Sequence, residues 1–491
     1  MSHAQDKALL QTISPIDGSV YVERALATEQ EIEQSIALSR SAQKQWQTTS
    51  IAERACICEL AVQYFESNQA QIAEEISWQM GRPLVYGGSE IGGLAERARY
   101  MINIAEEALA DERPQAKPGF ERFIRREALG VVLTVAPWNY PLLTTVNSVI
   151  PALMAGNSVL LKPSAQTPLC GEHFVSAFRQ AGLPEGVLQC LYLSHDSTTK
   201  MLGDSVVDFA CFTGSVAAGQ KIEKSAAGSF LGLSLELGGK DPAYVRADAK
   251  LDVCVNDLVD GAFFNSGQSC CGIERIYVEQ SLYPQFVEAY VEQVKNYTLD
   301  NPLLAATTLG PMVRTSAADW VRHQTSEAIA KGAQACIDPR EFANSRENSP
   351  YLAPQVLLDV DHSMSVMREE SFGPVVGIMS VKSDEQALQL MNDSDLGLTA
   401  SLWSTDQAAV EALGDRLQTG TVFMNRCDYL DPALCWTGVK NTGRGAALSK
   451  FGYLQLSRAK FRQIPTYSWH GCTATAVPIV ETTLNSLPVE R

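Results

Sequence analysis

The chain is predicted to be an α/β protein whose first sheet is parallel and doubly wound. Compact apolar runs at 131–135, 158–161, 187–193, 207–212 and 231–237 alternate with helical segments. Strands that alternate with helices fold into parallel sheets. After Glu236 the alternation restarts, so a second α/β unit follows. Between the helical start and the first run, 111–127 is broken by Pro114, Pro118 and Gly119. It reads as an excursion of strands that leaves the domain and returns.

The bulk numbers bound the partners. A length of 491 residues exceeds one core and implies several domains. The net charge of −17 opposes nucleic acid, whose backbone it would repel. No secretory signal, membrane span or low-complexity tract is read. The twelve cysteines are scattered, without a C-x-x-C pair. No metal site is expected, and a reduced, cytoplasmic setting fits best.

In chain order, 11–21 reads as strand, Pro/Gly turn and strand. Thr28 with Glu31, and Ser50 with Glu53, have capping-box spacing, so two helices start there. A third helix runs from about Gln69 to Gln79 and stops at Gly81-Arg82-Pro83. The apolar runs of the first sheet follow, and their carboxyl ends carry Asn139, Lys162, Gly214, Ser215 and Glu236. Ligands of such sheets bind beyond those ends. The second unit has helices at 252–265, 283–296 and 316–331. Its strands are at 273–278, 354–359, 374–381 and 399–403. From Gly420 the chain reads as Gly-rich and irregular. A last extended piece, about Ala459–Pro465, is placed to pair with the 111–127 excursion and so cover its edge.

Chemistry is expected at Cys270, in N-S-G-Q-S-C-C-G-I-E-R, which ends at Arg275. A thiol that attacks a carbonyl, with a carboxylate that activates water, suffices for covalent acyl chemistry. Glu236, in L-E-L-G-G-K-D-P, is the candidate acid. Alone, either residue has an ordinary reading as packed thiol or edge acid. Asn139, in P-W-N-Y-P, has an amide able to stabilise an oxyanion, or is a plain turn asparagine. Lys162 suits a ribose or phosphate. Gly214-Ser215 opens a helix, where a phosphate or a simple connection both fit. Glu370 and Phe372, in E-E-S-F-G-P, read as a ribose contact or an ordinary turn.

Together these motifs resemble the aldehyde dehydrogenase superfamily. P-W-N-Y-P, L-L-K-P-S, F-T-G-S, L-E-L-G-G-K-D-P, G-Q-S-C, E-E-S-F-G-P-V and K-N-T-G-R-G occur in the family's order. The resemblance implies a Rossmann-like nucleotide-binding domain (1–110 and 128–239) and an α/β catalytic domain (240–441). It also implies a small β oligomerisation arm (111–127 and 458–470), giving a homodimer or homotetramer. The tail, 471–491, is unassigned. Cys270 then looks like the nucleophile, and Asn139 with the Cys270 N–H like the oxyanion hole. Glu236 looks like the base that hydrolyses the thioester. Trp138, Lys162, Ser215, Glu370 and Phe372 match cofactor positions.

Three departures bear on specificity. Many NAD-preferring relatives have Glu where Ala165 stands. Its loss removes a charge that would repel a 2′-phosphate, and Ser164 is placed to donate to one. NAD remains the first expectation, with NADP admitted. The usual P-F-G-G reads Cys435-Trp436-Thr437-Gly438, which would put Trp436 in the substrate tunnel. Asn147 replaces the Arg common in relatives acting on semialdehydes with a carboxylate tail. With Tyr140, Leu143, Thr144, Cys271, Asp428 and Leu430, the expected tunnel mixes aromatic and polar walls. The expected reaction is NAD(P)-dependent oxidation of an aldehyde to the acid. The alternatives are transfer of the acyl group to coenzyme A, which Glu236 disfavours, and a non-catalytic protein on the same fold.

Overall fold

The computed structural model describes residues 8–466. A hairpin of β1 (Leu9–Ile13) and β2 (Val20–Ala25) opens it. Helices α1 (Glu29–Trp46) and α2 (Ile51–Ser67) begin at Thr28 and Ser50, and both capping boxes form. Helix α3 (Gln69–Met80) ends at Gly81, whose φ of 87° is the left-handed stop that glycine adopts freely.

Helix α4 (Gly87–Ala108) follows, at 22 residues. The sequence reading assigns nothing there, because Gly87, Gly88, Gly92 and Gly93 depress helix propensity. Packing overrides propensity. A Cβ on Gly93 would lie 2.7 Å from Leu143 Cδ2. The bare backbone therefore lets α4 press against α5 (Leu143–Met154), the helix that leads into the site.

Strand β3 (Phe120–Ala128) precedes the first sheet. That sheet is built from β4 (Val131–Val135), β5 (Ser158–Lys162), β6 (Leu188–Cys190), β7 (Phe209–Thr213) and β8 (Gly232–Glu236). Helices α5, α6 (Pro168–Gln180), α7 (His195–Gly203) and α8 (Val216–Ala226) connect them. With an edge strand β18 (Gly443–Arg444), the order is β18-β8-β7-β4-β5-β6. The pairs from β8 to β6 are parallel. Connections run outward in opposite directions from β4 and β7, so a crevice opens between them. Val135 pairs with Lys162 and Thr213 with Glu236, which sets the carboxyl ends side by side.

The second sheet contains β9 (Asp241–Val245), β10 (Ile273–Glu279), β11 (Gln334–Ala335), β12 (Gln355–Leu358), β13 (Val375–Val381), β15 (Thr399–Trp403) and β16 (Thr421–Met424). Their order is β11-β12-β13-β10-β9-β15-β16. Around it lie α9 (Leu251–Phe263), α10 (Tyr283–Val294), α11 (Thr315–Ala330), α12 (Ser365–Arg368), α13 (Asp384–Asn392) and α14 (Gln407–Gly414). Interior strand β9 opens on Asp241-Pro242, which reads as a turn and was not expected as strand. Buried Asp241 is satisfied by the Thr399 hydroxyl at 2.6 Å and the Thr399 amide at 3.1 Å. Beyond Gly420 the chain is more regular than expected: β16 adds an edge strand.

Strand β14 (Leu396–Gly397) pairs with β17 (Val439–Lys440). Strand β18 (Gly443–Arg444) then returns antiparallel to β8, linking the end of the chain to the first sheet. Helix α15 (Ser449–Gln455) leads into β19 (Ser457–Pro465), which pairs antiparallel with β3 from Ser457–Ala128 to Pro465–Phe120. This two-stranded ribbon leaves Phe461 80% exposed. Residues 467–470 of the expected arm, and 471–491, lie outside the described residues.

Asn157, fully buried, ties three of these pieces. Its Oδ1 accepts from the amides of Leu129 (2.6 Å) and Gly130 (3.0 Å). Its Nδ2 donates to the carbonyls of Ala152 (3.1 Å) and Leu456 (2.8 Å). Replacing it by alanine strands the Leu129 and Gly130 amides and the Leu456 carbonyl, whereas the Ala152 carbonyl keeps the residue's own backbone amide at 3.0 Å. Asn157→Ala is expected to cost about 3–5 kcal/mol, read as a lower denaturation midpoint.

Candidate active site

Cys270 stands at the end of a strained turn. Asn265 (φ 53°), Ser266 (φ 56°) and Gly267 (φ 70°) are consecutive left-handed residues. Each non-glycine there costs on the order of 1 kcal/mol or more. Fixed partners offset that cost. Asn265 Oδ1 accepts from Arg82 Nε at 3.1 Å, and the Ser266 hydroxyl donates to Gly310 O at 2.8 Å. Gln268 Oε1 accepts from the Val313 amide at 2.8 Å. A side chain at Gly267 would collide with the Gly373 backbone. Arg275 turns elsewhere, donating to Lys240 O at 2.9 Å and Met391 O at 3.2 Å.

Glu236 ends β8 and accepts from the Thr213 hydroxyl at 3.2 Å. Burial pushes its carboxyl up to about 7, against smaller downward pulls from Thr213 and the Arg97 charge. The Gly-Gly turn after it passes directly over the nucleophile loop, for a Cβ on Gly239 would strike the Cys270 carbonyl. Gly239 N–H donates to Glu370 Oε1 at 3.0 Å. Next in line, the Lys240 ammonium pairs with Glu274, whose carboxylate accepts from the Ser371 and Phe372 amides at 2.8 and 3.0 Å. The motifs around 236, 270 and 370 are thus stitched to one another.

Asn139 lies beside them, 6% exposed. Its Nδ2 donates to Gln268 O at 3.1 Å, and an amide has a second hydrogen to offer. Its backbone carbonyl accepts from Asn265 Nδ2 at 3.3 Å and from Arg82 Nη2. Arg82 also pairs with Glu90, both about 1% exposed. The other Glu90 oxygen accepts from the Leu142 and Leu143 amides at 2.7 and 3.2 Å, at the start of α5. The Arg82 guanidinium lies 4.6 Å from the centre of the Tyr140 ring.

Cys270, Glu236 and Asn139 line one cleft of about 850 Å³. Trp138, Tyr140, Thr144, Lys162, Ser164 and Ala165 line it too, with Gly214, Ser215, Glu370 and Phe372. The Trp138 and Phe372 rings meet edge to face at 5.5 Å. These walls suit a dinucleotide. Lys162 is 8% exposed and has no acidic partner among the described residues. Burial holds the Glu370 carboxyl up at about 8, with Gly239 as its backbone donor. A buried ammonium and a carboxyl with free lone pairs, facing one cleft, match ribose hydroxyls. Ser215 caps α8, whose amino end adds donors for a phosphate.

The aldehyde dehydrogenase family profile matches residues 2–461. The chain belongs to that family. A succinate semialdehyde dehydrogenase named for NAD(P)+ from Escherichia coli (strain K12) is 31% identical, over 90% of this chain and 95% of its own length. One named for NADP(+) from Mycobacterium avium (strain 104) is 32% identical, over 92% and 96%. Among solved structures, the Streptococcus pyogenes succinic semialdehyde dehydrogenase with NADP+ has a TM-score of 0.88 at 26% identity, covering 93% of this chain and all of that one. An aldehyde dehydrogenase of Brucella melitensis has a TM-score of 0.90 at 26% identity, over 94% and 95%. As an aldehyde dehydrogenase the chain is an oxidoreductase that takes an aldehyde to the carboxylic acid, with a nicotinamide dinucleotide as hydride acceptor.

Other expected tunnel residues of this aldehyde dehydrogenase do not line this cleft, although Asn147 lines a smaller cavity that it shares with Glu236, Thr144 and Thr213. Cys271 is 3% exposed, and its thiol donates to Asp428 Oδ1 at 2.8 Å. Asp428 also accepts from the Ser269 hydroxyl at 3.1 Å, and burial pushes its carboxyl up to about 6. Leu143 and Asn147 face α4. Trp436 is 5% exposed and exchanges backbone hydrogen bonds of 2.9 Å with Ala447, packed in the first unit's core. Sequence reasoning missed Arg82, Glu90 and Trp320, whose indole donates to Glu370 O at 3.1 Å on the cleft rim. None carries a motif signal, since isolated charges and aromatics read as solvated or packed.

Removing the Arg82 guanidinium leaves Glu90 buried and unpaired and frees the Asn139 backbone. Arg82→Met is expected to cost about 3–5 kcal/mol of stability, seen by chemical denaturation. It should also lower kcat more than KM, because Asn139 loses its orientation.

Proposed function

We propose that Cys270 is the nucleophile of a hydrolytic aldehyde dehydrogenase and that Glu236 is its deacylation base. The observation that carries this reading is their shared cleft, with Asn139 on the same wall. The Cys270 sulfur bonds to the aldehyde carbon, and the carbonyl oxygen becomes an oxyanion. The second Asn139 N–H and the Cys270 backbone N–H are the donors for it. When bound, the nicotinamide supplies the hydride acceptor; Trp138, Lys162, Ser215, Glu370 and Phe372 would hold that cofactor. The remaining thioester carbon is attacked by water, whose proton passes to Glu236. The carbon–sulfur bond breaks, the thiol is restored and a free acid leaves.

A carboxyl near 7 is half ionised at neutral pH, which suits a general base. Glu236 also weighs against acyl transfer to coenzyme A, because it would hydrolyse the thioester. Ala165 and the Ser164 hydroxyl admit a 2′-phosphate, so both NAD and NADP are proposed cofactors. The names of the relatives from Escherichia coli and Mycobacterium avium support this. They also support an aldehyde with a carboxylate at its far end as substrate.

We infer three finer features as well. The chain divides at the boundaries expected from the sequence, with one sheet in each of two domains. The β3–β19 ribbon, with Phe461 bare on it, joins subunits into a homodimer or homotetramer. The enzyme works in the cytoplasm; the eleven described cysteines are all free.

Cys270→Ala is expected to abolish cofactor reduction, whereas Cys271→Ala keeps most of it; equal loss from both would refute the assignment. Glu236→Gln should retain one stoichiometric burst of reduced cofactor, with later turnover slowed on the order of 10²–10⁴-fold. In the parent enzyme, deacylation-limited turnover should rise with pH through about 7, as Glu236 loses its proton, and this limb should vanish in the variant. Added coenzyme A that sharply raises turnover would favour the acyl-transfer alternative. Deleting 111–127 should yield monomers by analytical ultracentrifugation; a monomeric parent would remove the arm's role.

A further inference from the structure

Among the described residues four arginines are interior, and three of them are satisfied at every nitrogen. Arg54 donates to Met154 O, Gln47 O, Thr49 O and the Thr49 hydroxyl. Arg82 uses Nε on Asn265, Nη1 on Glu90 and Nη2 on Asn139 O. Arg275 places all three nitrogens on carbonyls, and one also on the Tyr277 hydroxyl.

Arg97, on α4, is different. Only Nη1 is engaged, at 2.8 Å from Leu143 O and 3.4 Å from Asn147 Oδ1. Both acceptors are neutral and both are on α5. No carboxylate among the described residues lies within ion-pair distance of it. Its Nε and Nη2 are therefore free together. That edge of a guanidinium is one on which a carboxylate docks with two parallel hydrogen bonds. Arg97 is 8% exposed.

Its surroundings place it at the reacting centre. Asn147, which Arg97 faces, lines a small cavity together with Glu236, Thr144 and Thr213, and Cys271 and Glu236 are the titratable groups whose charge would act on the guanidinium most. Asp428 feels the Arg97 charge too. Asn147 adds a second loose donor. Its Oδ1 faces Arg97, and its Nδ2 is buried without any acceptor. A buried cation without an anion is costly, and so is a buried amide hydrogen without a partner. Two neighbouring helices thus present unused donors on the Glu236 side of the site, and one anionic acceptor answers both.

We propose that Arg97, assisted by Asn147, binds the distal carboxylate of the aldehyde substrate and so sets this enzyme's preference for ω-oxo acids. The proposal rests on the reading of Cys270 as the nucleophile. It moves the recognition charge to α4 and explains why the α5 position holds a neutral amide. Arg97 acts on the far end of the substrate, not on the reacting carbon.

The test compares succinate semialdehyde with butanal, a neutral aldehyde of equal length, on the full-length enzyme. The parent should favour the ω-oxo acid in kcat/KM. Arg97→Met should lower kcat/KM for the ω-oxo acid on the order of a hundredfold, chiefly through KM, and for butanal by no more than a few-fold. Arg97→Lys should recover part of that loss, and Asn147→Leu should raise KM for the ω-oxo acid alone. Equal losses on both aldehydes would overturn the proposal, since Arg97 would then serve the thiol or Glu236. A parent that oxidises butanal but not the ω-oxo acid would also overturn it and leave the nucleophile assignment standing. A normal preference for the ω-oxo acid in a Cys270→Ala variant would instead overturn the nucleophile assignment.

Discussion

The Arg82–Glu90 ion pair is the tie on which the rest of the site depends. Its two charges are buried together, and every remaining hydrogen-bonding group on them reaches a different segment. Arg82 holds the left-handed turn at Asn265 and the carbonyl of Asn139. Glu90 receives the first amides of α5. Turn, oxyanion donor and helix therefore share one reference point. A buried pair gains little net stability over a hydrophobic pair of the same size. What it provides here is registration, because its geometry can be satisfied in only one arrangement of the three segments.

The sheets supply the second constraint. Parallel strands with level carboxyl ends set Glu236 beside Thr213 and Lys162 beside Val135, and the divergence of connections between β4 and β7 leaves room for a ligand. The same burial shapes the chemistry. Glu236 at about 7, Glu370 at about 8 and Asp428 at about 6 are all raised mainly by loss of water. Each has few donors, so none recovers the hydration it gives up. A carboxyl that would be inert in solvent becomes a base matched to neutral pH.

Much of this was legible in the sequence, and the parts that were not share a cause. The apolar runs and the polar residues closing them located Asn139, Lys162, Gly214 and Glu236 at strand ends, because a buried parallel strand writes itself as a continuous hydrophobic stretch. The capping boxes at Thr28 and Ser50 fixed two helix starts through local hydrogen bonds alone. Helix α4 was invisible because its glycines serve packing against α5, a tertiary demand that local propensity opposes. Strand β9 was hidden by Asp241-Pro242, a turn signature whose acid is satisfied by Thr399, far along the chain. Arg82, Glu90 and Arg97 were silent for the same reason: a lone charge reads as solvated until the fold supplies its neighbours. Trp436, expected in the tunnel, packs into core, where its ring fills space beside Ala447.

The seam where Gly239 crosses Cys270 divides the protein into a fixed half and an adjustable half. Backbone meets backbone there with no space for even a methyl group, so the height of the sulfur above the sheet cannot drift. Only glycine at position 239 lets the two backbones approach this closely. Away from that seam, α4 meets α5 through side chains, where Arg97 donates to Leu143 O and Asn147 Oδ1 and Gly93 packs on Leu143. A side-chain exchange between those two helices therefore leaves in place the backbone contact that holds the nucleophile loop.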